Sequence, residues 1–552
     1  MNLIEELYST DERDLFIDYI KAGKSSLKDL LEESDSPRFA ANKYSKEAFY
    51  SLIDKYSNLP DHPEDPSAGL QTITSDLFVG VPRWKSPRLL YNVGTAVNEA
   101  AAAAYALGLE ENVYNINDGL AGNTLVAEHA VVNIVSQLAG ISTKPYGIFT
   151  FGGTATNLYG MKLGLKKALP DSSHNGVEEN VRVFVTEDAH FSHNAAADWL
   201  GIGTKRVVTI RAQQDRTSDL SDLEKQLRSA LAEGSKLGTI IINGGTTYDH
   251  AIDDIAAVAE LRDRLVEEFN LPYKPHIHVD AVIGWSWLFF KNYDWRGNPL
   301  ELEANVLEKI RRQYERIKEI HRADSWGIDF HKGIGGCPIA CSLVVINNFE
   351  DAMLLSRKAS SGVDIHQLAA EYSFASPVDY TLETSRASGA PLAALTALHT
   401  LGSFGYQRNL ANLIDQTTYM RERLMARGHL QTTNDQSWGF VTAIRLVPSD
   451  LQVVTSSEEF ADSSQTMREK SDLITDYTKK FFTWDYETRM KEGRGPEYSY
   501  SSGYATTPSG AKLGIIKLYP VSPYFDQSYA EQVVDTIVKQ QAVFDSKMWA
   551  KK

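Results

Sequence analysis

One lysine of the chain lies in a segment whose composition suits covalent chemistry by an amine. Lys332 follows His331 and is succeeded by small and apolar residues as far as Cys337. A lysine amine in such surroundings can form a Schiff base with a carbonyl compound. Cys337 and Cys341 are a lone pair four positions apart, so we expect them to pack in the core rather than to bind a metal or exchange electrons.

A carboxylate and a histidine each come at the end of a predicted strand. Asp280 ends the strand that begins at His276, and His190 follows the strand predicted over 181–185. Apolar neighbours would partly desolvate Asp280, so its charge requires a cationic or protonated partner. His276 and His278 share a face of their strand, as metal ligands can. We predict no metal site, because no further soft ligand has suitable spacing.

A glycine-containing loop precedes a predicted helix over 158–168. The loop reads Thr150-Phe-Gly-Gly-Thr-Ala-Thr-Asn157. Glycines allow a close approach of the backbone, and the free N–H groups at a helix N-terminus bind anions. A plain turn before a helix has the same composition, so the loop indicates an anion site only in combination with the segments around His190, Asp280 and Lys332.

Together these four segments supply the groups that one cofactor requires. Pyridoxal 5'-phosphate (PLP) needs an anion cradle, a side chain stacked on its ring, a carboxylate at the pyridine nitrogen and a lysine for its aldehyde. The glycine loop, His190, Asp280 and Lys332 provide these in chain order. The sequence therefore predicts a PLP site.

Alternating strands and helices must position these groups. Short apolar runs predict strands at 181–185, 206–210, 239–242, 276–279 and 342–346, with helices such as 222–231 and 255–269 between them. Unbroken Val/Ile strands are typical of a parallel sheet covered on both faces. After a helix-rich stretch over 391–428, half-buried strands at 439–446 and 512–519 and a closing helix predict a smaller α+β domain. We divide the chain into a helical N-terminal segment (1–95), a large cofactor-binding α/β domain (96–400) and a small C-terminal domain (401–552).

Composition excludes several classes of partner. The chain has 552 residues and a mass of 61.5 kDa, with 56 Lys and Arg against 72 Asp and Glu and a net charge of −16. This acidic surplus would repel nucleic acid and anionic membranes. Two cysteines fit a reducing compartment, and neither a secretory signal nor an apolar run of membrane-spanning length is present. We expect a cytoplasmic protein without nucleic-acid or membrane partners.

The order of the motifs is similar to that of a known family. Gly-Gly-Thr-x-x-Asn, Ala-His-x-Ser, His-Val-Asp-Ala and Asp-Ser-x-x-x-Asp-x-His-Lys, with Cys-Ser nine positions after the lysine, resemble the group II PLP-dependent amino-acid decarboxylases. That family includes glutamate, aromatic amino-acid and tyrosine decarboxylases. The likeness runs from Trp84-Lys-Ser-Pro-Arg88 to Thr381-Leu-Glu-Thr-Ser-Arg386. It implies fold type I, with a mainly parallel sheet of the seven-stranded type, and a homodimer with the active site at the interface.

The resemblance also implies the role of each site residue. Lys332 would carry PLP as a covalent aldimine, His190 would stack on the ring, and Asp280 would hold the pyridinium proton. The other implied contacts are Ala155 and Thr156 for the phosphate with His331 nearby, Thr246 and Val282 for the cofactor, and Asn92 and Arg386 for the substrate.

Three positions depart from the family pattern. Val282 stands where an alanine is usual, and Asp329 stands where an Asn-Pro pair commonly begins. The tyrosine that protonates the product carbanion is missing at its usual spacing after the lysine. Tyr372 is the first candidate for this role, with Tyr380 and His366 as alternatives. The missing tyrosine also leaves room for a carbonyl-forming oxidative reaction.

The activity implied is α-decarboxylation of an L-amino acid to its amine and carbon dioxide. Because the segment around Arg386 most resembles the tyrosine-decarboxylase branch, we expect a slight preference for an aromatic, tyrosine-like substrate. A glutamate or aspartate decarboxylase is the first alternative, since Asn92 falls where glutamate decarboxylases have an amide. Further alternatives are a PLP-dependent carbon–carbon lyase, a decarboxylation-coupled aldehyde-forming enzyme, a catalytically silent PLP-binding relative and a cofactor-free α/β protein.

Overall fold

A computed structural model describes residues 14–177, 180–356, 376–492 and 495–549, except 32 and 34. The helices are α1 (Leu15–Asp29), α2 (Lys46–Tyr56), α3 (Pro66–Leu77), α4 (Glu99–Glu110), α5 (Asp118–Ala121), α6 (Leu125–Ala139), α7 (Gly153–Ala168), α8 (Ser172–Asn175), α9 (Ser192–Trp199), α10 (Leu220–Ala232), α11 (Ile255–Glu268), α12 (Ala304–Ile317), α13 (Phe349–Ala352), α14 (Gly389–Arg427), α15 (Ser456–Ala461), α16 (Gln465–Glu492) and α17 (Gln527–Phe544). The strands are β1 (Leu89–Leu90), β2 (Tyr146–Thr150), β3 (Val181–Thr186), β4 (Val207–Ile210), β5 (Lys236–Asn243), β6 (His276–Asp280), β7 (Ser325–Asp329), β8 (Ser342–Ile346), β9 (Leu430–Thr432), β10 (Thr442–Leu446), β11 (Glu497–Thr506) and β12 (Lys512–Leu518).

A seven-stranded sheet forms the centre of the large domain, as predicted. Its strand order is β2-β8-β7-β6-β5-β3-β4, and β8 alone runs antiparallel to its neighbours. The five strands predicted from Val/Ile runs are all present. Strands β2 and β7 were not predicted, because β7 reads Ser-Trp-Gly-Ile-Asp and carries buried polar residues instead of an aliphatic run.

Helices cover both faces of this sheet. Alternate residues of β3 and β5 point to opposite sides: Phe184 and Ile240 join the main core with α6 and α11, whereas Val183 and Ile241 pack with α7 and α9. The sheet is therefore buried on both faces, which explains its continuous apolar strands.

The small domain contains a second, five-stranded sheet. Its order is β1-β11-β12-β10-β9, and β1, which precedes the large domain in the chain, pairs parallel to β11. A buried ion pair of 2.7 Å between Arg38 and Glu497 also ties the N-terminal segment to this sheet. The boundary predicted at residue 400 falls within α14, next to Gly402, where the helix is interrupted at φ 57°. Within the described ranges, no helix is both long and apolar enough to cross a membrane.

Candidate active site

A cavity of about 430 Å³ lies at the carboxyl ends of the parallel strands of the large sheet. The loops after β3, β5, β6 and β7 and the first turn of α7 form its wall. Parallel strands end along the same edge of a sheet, so motifs that are far apart in the sequence meet here. The wall includes these predicted site residues: His190, Thr246, Asp280, Val282, His331 and Lys332.

The first turn of α7 forms one end of the cavity. Gly153 and Thr154 line it, and no side chain caps the helix. Uncapped N–H groups at a helix N-terminus favour anions such as phosphate. Asp329, the last residue of β7, lies against the same turn, where a Cβ on Gly153 would come within 2.6 Å of Asp329 Oδ2. Glycine at 153 is what permits this approach.

Lys332 is held at the cavity by the fully buried Asp329. Its Nζ lies 2.9 Å from Asp329 Oδ2, and His331 Nε2 lies 3.7 Å from the same oxygen. Ser342 Oγ donates a hydrogen bond to the other oxygen of Asp329. The Lys332 side chain keeps 22% of its surface exposed, so the amine is oriented yet accessible.

Asp280 has one engaged oxygen and one that is free. Its Oδ2 accepts a 2.9 Å hydrogen bond from Asn157 Nδ2 and lies 3.6 Å from His193 Nε2. Its Oδ1 is buried and has no hydrogen-bond partner among the described residues. Burial acts to raise the pKa of Asp280, but His193, the Asn157 hydrogen bond and Lys332 lower it below its usual value. An ionised carboxylate thus offers a free acceptor.

His190 and Thr246 complete the wall. His190 Nδ1 lies 2.9 Å from Ser192 Oγ, and burial is the main cause that lowers the pKa of His190, although Asp280 opposes it. The ring is therefore neutral at pH 7. Thr246 Oγ1 accepts a 3.1 Å hydrogen bond from the Ala251 N–H, which fixes the loop after β5.

Two predicted phosphate contacts are not in the cavity wall. Ala155 and Thr156 are fully buried beneath the first turn of α7, and Thr156 Oγ1 donates to the Gly153 carbonyl at 2.8 Å. The residues that face the cavity are instead Gly153 and Thr154. The shift follows from the helix, which directs the side chains of its next two residues into the protein.

The predicted substrate residue Arg386 is also placed elsewhere. Its guanidinium makes a 2.6 Å ion pair with the buried Glu128 and donates to the carbonyls of Asn115 and Phe149. Glu128 would be an unpaired buried charge without this partner, which gives Arg386 a structural role in the protomer. Asn92 is exposed and is not in the cavity wall; its Oδ1 accepts a hydrogen bond from Lys517 Nζ at 3.2 Å.

Of the candidate proton donors, the structure describes Tyr380, which does not line the cavity. Tyr380 ends a 3-10 turn (Pro377–Tyr380) and packs against Tyr146 and Phe349. Tyr372 and His366 lie outside the described residues. The assignment of a proton donor stays a prediction.

Three further residues at or near the cavity were not assigned from the sequence. Asn157 binds Asp280, and its signal was its place at the end of the glycine motif. Asp188 lines the wall and is paired with Arg216. Lys517 is a cation within the buried part of a strand whose exposed first residue is Lys512, and a charged residue among buried apolar ones is the pattern by which it could have been found.

The arrangement fits PLP. The uncapped first turn of α7 suits a phosphate, the free Oδ1 of Asp280 suits a protonated ring nitrogen, and the Lys332 amine lies in the same cavity. His190 supplies a flat, neutral ring between these ends. Asp329 adds a negative charge near the phosphate end, which Lys332 balances. The phosphate, the ring nitrogen and the aldehyde of the cofactor thus each have a complementary group in the cavity.

Comparison with known proteins agrees with this fit. Residues 50–444 match the family model described as the pyridoxal-dependent decarboxylase conserved domain. The acidic amino acid decarboxylase GADL1 of Xenopus tropicalis is 27% identical over 226 residues, which is 41% of this chain and 39% of that protein. The L-2,4-diaminobutyrate decarboxylase of Rhizobium meliloti is 24% identical over 407 residues, or 73% of this chain and 74% of that protein. The chain thus spans about two fifths of the first of these relatives.

Solved structures share the fold. Mouse CSAD in its apo form superposes with a TM-score of 0.74 at 19% identity, covering 96% of this chain and 99% of that chain. Oryza sativa TDC with PLP and tryptamine gives a TM-score of 0.76 at 14% identity, covering 97% and 99%. At these identities the likeness concerns the fold alone.

Proposed function

The chain belongs to the pyridoxal-dependent decarboxylase family, a family of PLP-dependent carboxy-lyases, and from this premise we propose that it removes the α-carboxylate of an L-amino acid to give the amine and carbon dioxide. The observation that carries the proposal is the meeting of Lys332, Asp280 and His190 in one cavity with an uncapped helix N-terminus. A catalytically silent relative would have no need to keep all of these groups.

Each group of the cavity has a distinct task in this reaction. When bound, PLP supplies an electron sink for the carbanion that remains after carbon dioxide leaves. The N–H groups of the first turn of α7 would bind its phosphate, and Asp280 Oδ1 would accept the ring N–H. His190 would pack on the ring face and exclude water. The Lys332 amine would bind the cofactor covalently, and its 2.9 Å ion pair with Asp329 keeps it at the cavity.

A buried cation, connected to the cavity wall through Tyr248 and Asn92, supports an acidic substrate. Lys517 Nζ contacts Asn92 and lies 5.5 Å from the Tyr248 ring centre. Tyr248 directly follows Thr247 of the cavity wall, and Asn92 precedes Val93, whose carbonyl accepts from the Gly333 N–H next to the reactive lysine.

Lys517 has the electrostatic properties that recognition of an anion requires. Burial lowers its pKa to about 8, and within the described part of the chain it forms no ion pair with a carboxylate. An ammonium group without a counterion binds a carboxylate strongly. The relative GADL1 of Xenopus tropicalis is an acidic amino acid decarboxylase, which agrees with a carboxylate on the substrate side chain. We therefore favour a side chain like that of aspartate or glutamate.

A second candidate is the aromatic substrate expected from the sequence. Phe151 and Ile339 line the cavity and are 51% and 77% exposed in the protomer, and Phe191 is 78% exposed beside His190. These apolar side chains could contact an aromatic ring. They also suit the subunit interface of a homodimer, the assembly that we propose. A monomeric mass in solution at working concentration would refute the dimer.

The deciding experiment measures carbon dioxide release from each of the twenty common amino acids and from L-2,4-diaminobutyrate, and identifies the amine formed. Decarboxylation of aspartate or glutamate, with a 10- to 100-fold lower kcat/KM in Lys517→Met, supports the acidic assignment. Lys512→Met, which removes an exposed lysine of the same strand, is the matched control. Turnover of tyrosine that Lys517→Met leaves unchanged favours the aromatic candidate. No amine from any amino acid refutes the proposed activity, and an aldehyde product with hydrogen peroxide identifies the oxidative alternative.

A further inference from the structure

A row of buried polar side chains continues from Asp280 away from the cavity. His276, His278 and Asp280 occupy one face of β6, and α7 packs on that face. Gly160 of α7 lies directly over His278, since a Cβ there would come within 2.4 Å of the ring. Both histidines are fully buried. The mechanism above uses Asp280 alone, so the two histidines need a separate explanation.

The hydrogen-bond directions can be assigned from Asp280 outward. An ionised carboxylate only accepts, so the group of Asn157 that faces Asp280 Oδ2 at 2.9 Å is the NH₂. The other hydrogen of this NH₂ is directed to Ser192 Oγ at 3.1 Å. Asn157 Oδ1 therefore faces His278 Nε2 at 3.1 Å, and this nitrogen must carry a hydrogen.

The remaining members of the row follow by the same logic. Burial lowers the pKa of His278 to about 3, so its ring is neutral and holds a single N–H. His278 Nδ1 is then an acceptor and takes the hydroxyl hydrogen of Ser325 at 2.8 Å. The oxygen of Ser325 is left to accept from His276 Nε2 at 2.7 Å. Every donor in this chain thus points toward Asp280.

The end of the row away from Asp280 is His276, the first residue of β6. His276 Nδ1 has no hydrogen-bond partner among the described residues, and Asp324 Oδ2 lies 4.0 Å away. Asp324 is engaged by Arg262 at 2.8 Å and by Lys167 at 3.5 Å. Since cations already satisfy this carboxylate, it does not attract a proton to His276, and the direction of the chain is fixed.

We propose that His276, Ser325, His278 and Asn157 form a one-way hydrogen-bond chain whose last donor, the Asn157 amide, holds Asp280 with its free oxygen toward the PLP ring nitrogen. His276, Ser325 and His278 act as positioning residues, because they reach the cofactor through Asn157 and Asp280. Loss of the Ser325 hydroxyl would leave His278 Nδ1 without a donor, so the ring would be held less firmly. Its Nε2–H would then restrain the Asn157 amide less well, which would loosen Asp280 and weaken its hold on the ring proton.

The test uses apoenzyme reconstituted with PLP that carries ¹⁵N at the ring nitrogen. Its ¹⁵N chemical shift reports ring protonation, and quenching of protein fluorescence gives the Kd of PLP. In Ser325→Ala we expect the shift to move toward the unprotonated value and the Kd to rise about 3- to 10-fold. His276→Phe should move both in the same direction by less, because Ser325 can still donate to His278.

Ser471→Ala is the matched control. Its hydroxyl is equally buried and donates to Glu459 at 2.6 Å in the small domain, without any link to Asp280. The proposal is overturned if Ser325→Ala and His276→Phe give the same ¹⁵N shift and Kd as this control. Should Ser325→Ala not fold, His278→Met decides in the same way. These readouts involve no amino-acid substrate, so they remain valid whatever the substrate screen finds.

Discussion

Replacement of Lys517 by methionine should stabilise the protein. Burial lowers the pKa of Lys517 from 10.5 to about 8, which corresponds to about 3 kcal/mol for keeping the ammonium charged inside the protein at neutral pH. Methionine keeps the length of the apolar stem and removes the charge. The variant also loses the bond to Asn92, worth about 1 kcal/mol. We therefore expect the free energy of unfolding to rise by about 1 to 3 kcal/mol at pH 7.

The pH dependence of this gain has a definite sign. Between pH 8 and 10.5 the unfolded chain holds the Lys517 proton while the folded chain has released it, so stability contributed by this group rises with pH. Below pH 8 both states are protonated, and the folded protein bears the full cost. The gap between Lys517→Met and the natural sequence should therefore be largest at pH 7 and should narrow by pH 9.5.

Urea denaturation of the PLP-loaded enzyme at both pH values, at fixed protein and cofactor concentrations, measures this gap. Lys512→Met provides the control, because Lys512 is exposed on the same strand and its replacement should change stability by less than about 0.5 kcal/mol. A Lys517→Met protein that is less stable at pH 7, or a gap that does not change with pH, would show that the ammonium is not held at a desolvation cost.

Three further outcomes follow from the site and its supports. Lys332→Ala should lose the cofactor absorbance of the purified protein and its turnover; retention of both would contradict its covalent role. Arg386→Met should lower the free energy of unfolding by about 3 to 5 kcal/mol in urea denaturation, because Glu128 would be left buried and unpaired, whereas a change confined to KM would indicate substrate contact instead. Gly160→Ala should lower the free energy of unfolding by about 1 to 3 kcal/mol, since the added Cβ overlaps the His278 ring. The control is Gly503→Ala, where an added Cβ meets no other atom. If thermal unfolding shows Gly160→Ala to be as stable as this control, the contact with His278 is wrong.

Much of the fold could be predicted because its strands are chemically uniform. Val/Ile runs predict strands β3, β5, β6 and β8. The polar residues directly after β3 and at the end of β6 then predict which edge of the sheet carries the site. β7 was missed because Ser325 and Asp329 are buried through hydrogen bonds that only the tertiary structure supplies. Local composition cannot reveal a strand whose polar residues are satisfied by partners distant in sequence.

The same distinction holds at the site. Lys332, Asp280 and His190 could be assigned because their chemistry is distinctive at the end of a strand. Arg386 could not, since a motif does not show whether a guanidinium faces the substrate or a buried carboxylate such as Glu128. The importance of Lys517 depends on the packing of the small domain against Tyr248, which is likewise a tertiary contact.

The pairing of β1 with β11 also affects the order in which the chain can fold. Tyr91, next to β1, accepts a hydrogen bond from Ser499 of β11, a residue 408 positions later in the sequence. At ribosomal rates of about 5 to 20 residues per second, strand β11, with which β1 pairs, is synthesised some 20 to 80 s after β1 itself. Throughout this interval Leu89 and Leu90, which are buried in the finished protein, remain unpaired. The β1–β11 pair therefore cannot form until synthesis of the C-terminal sheet is nearly complete.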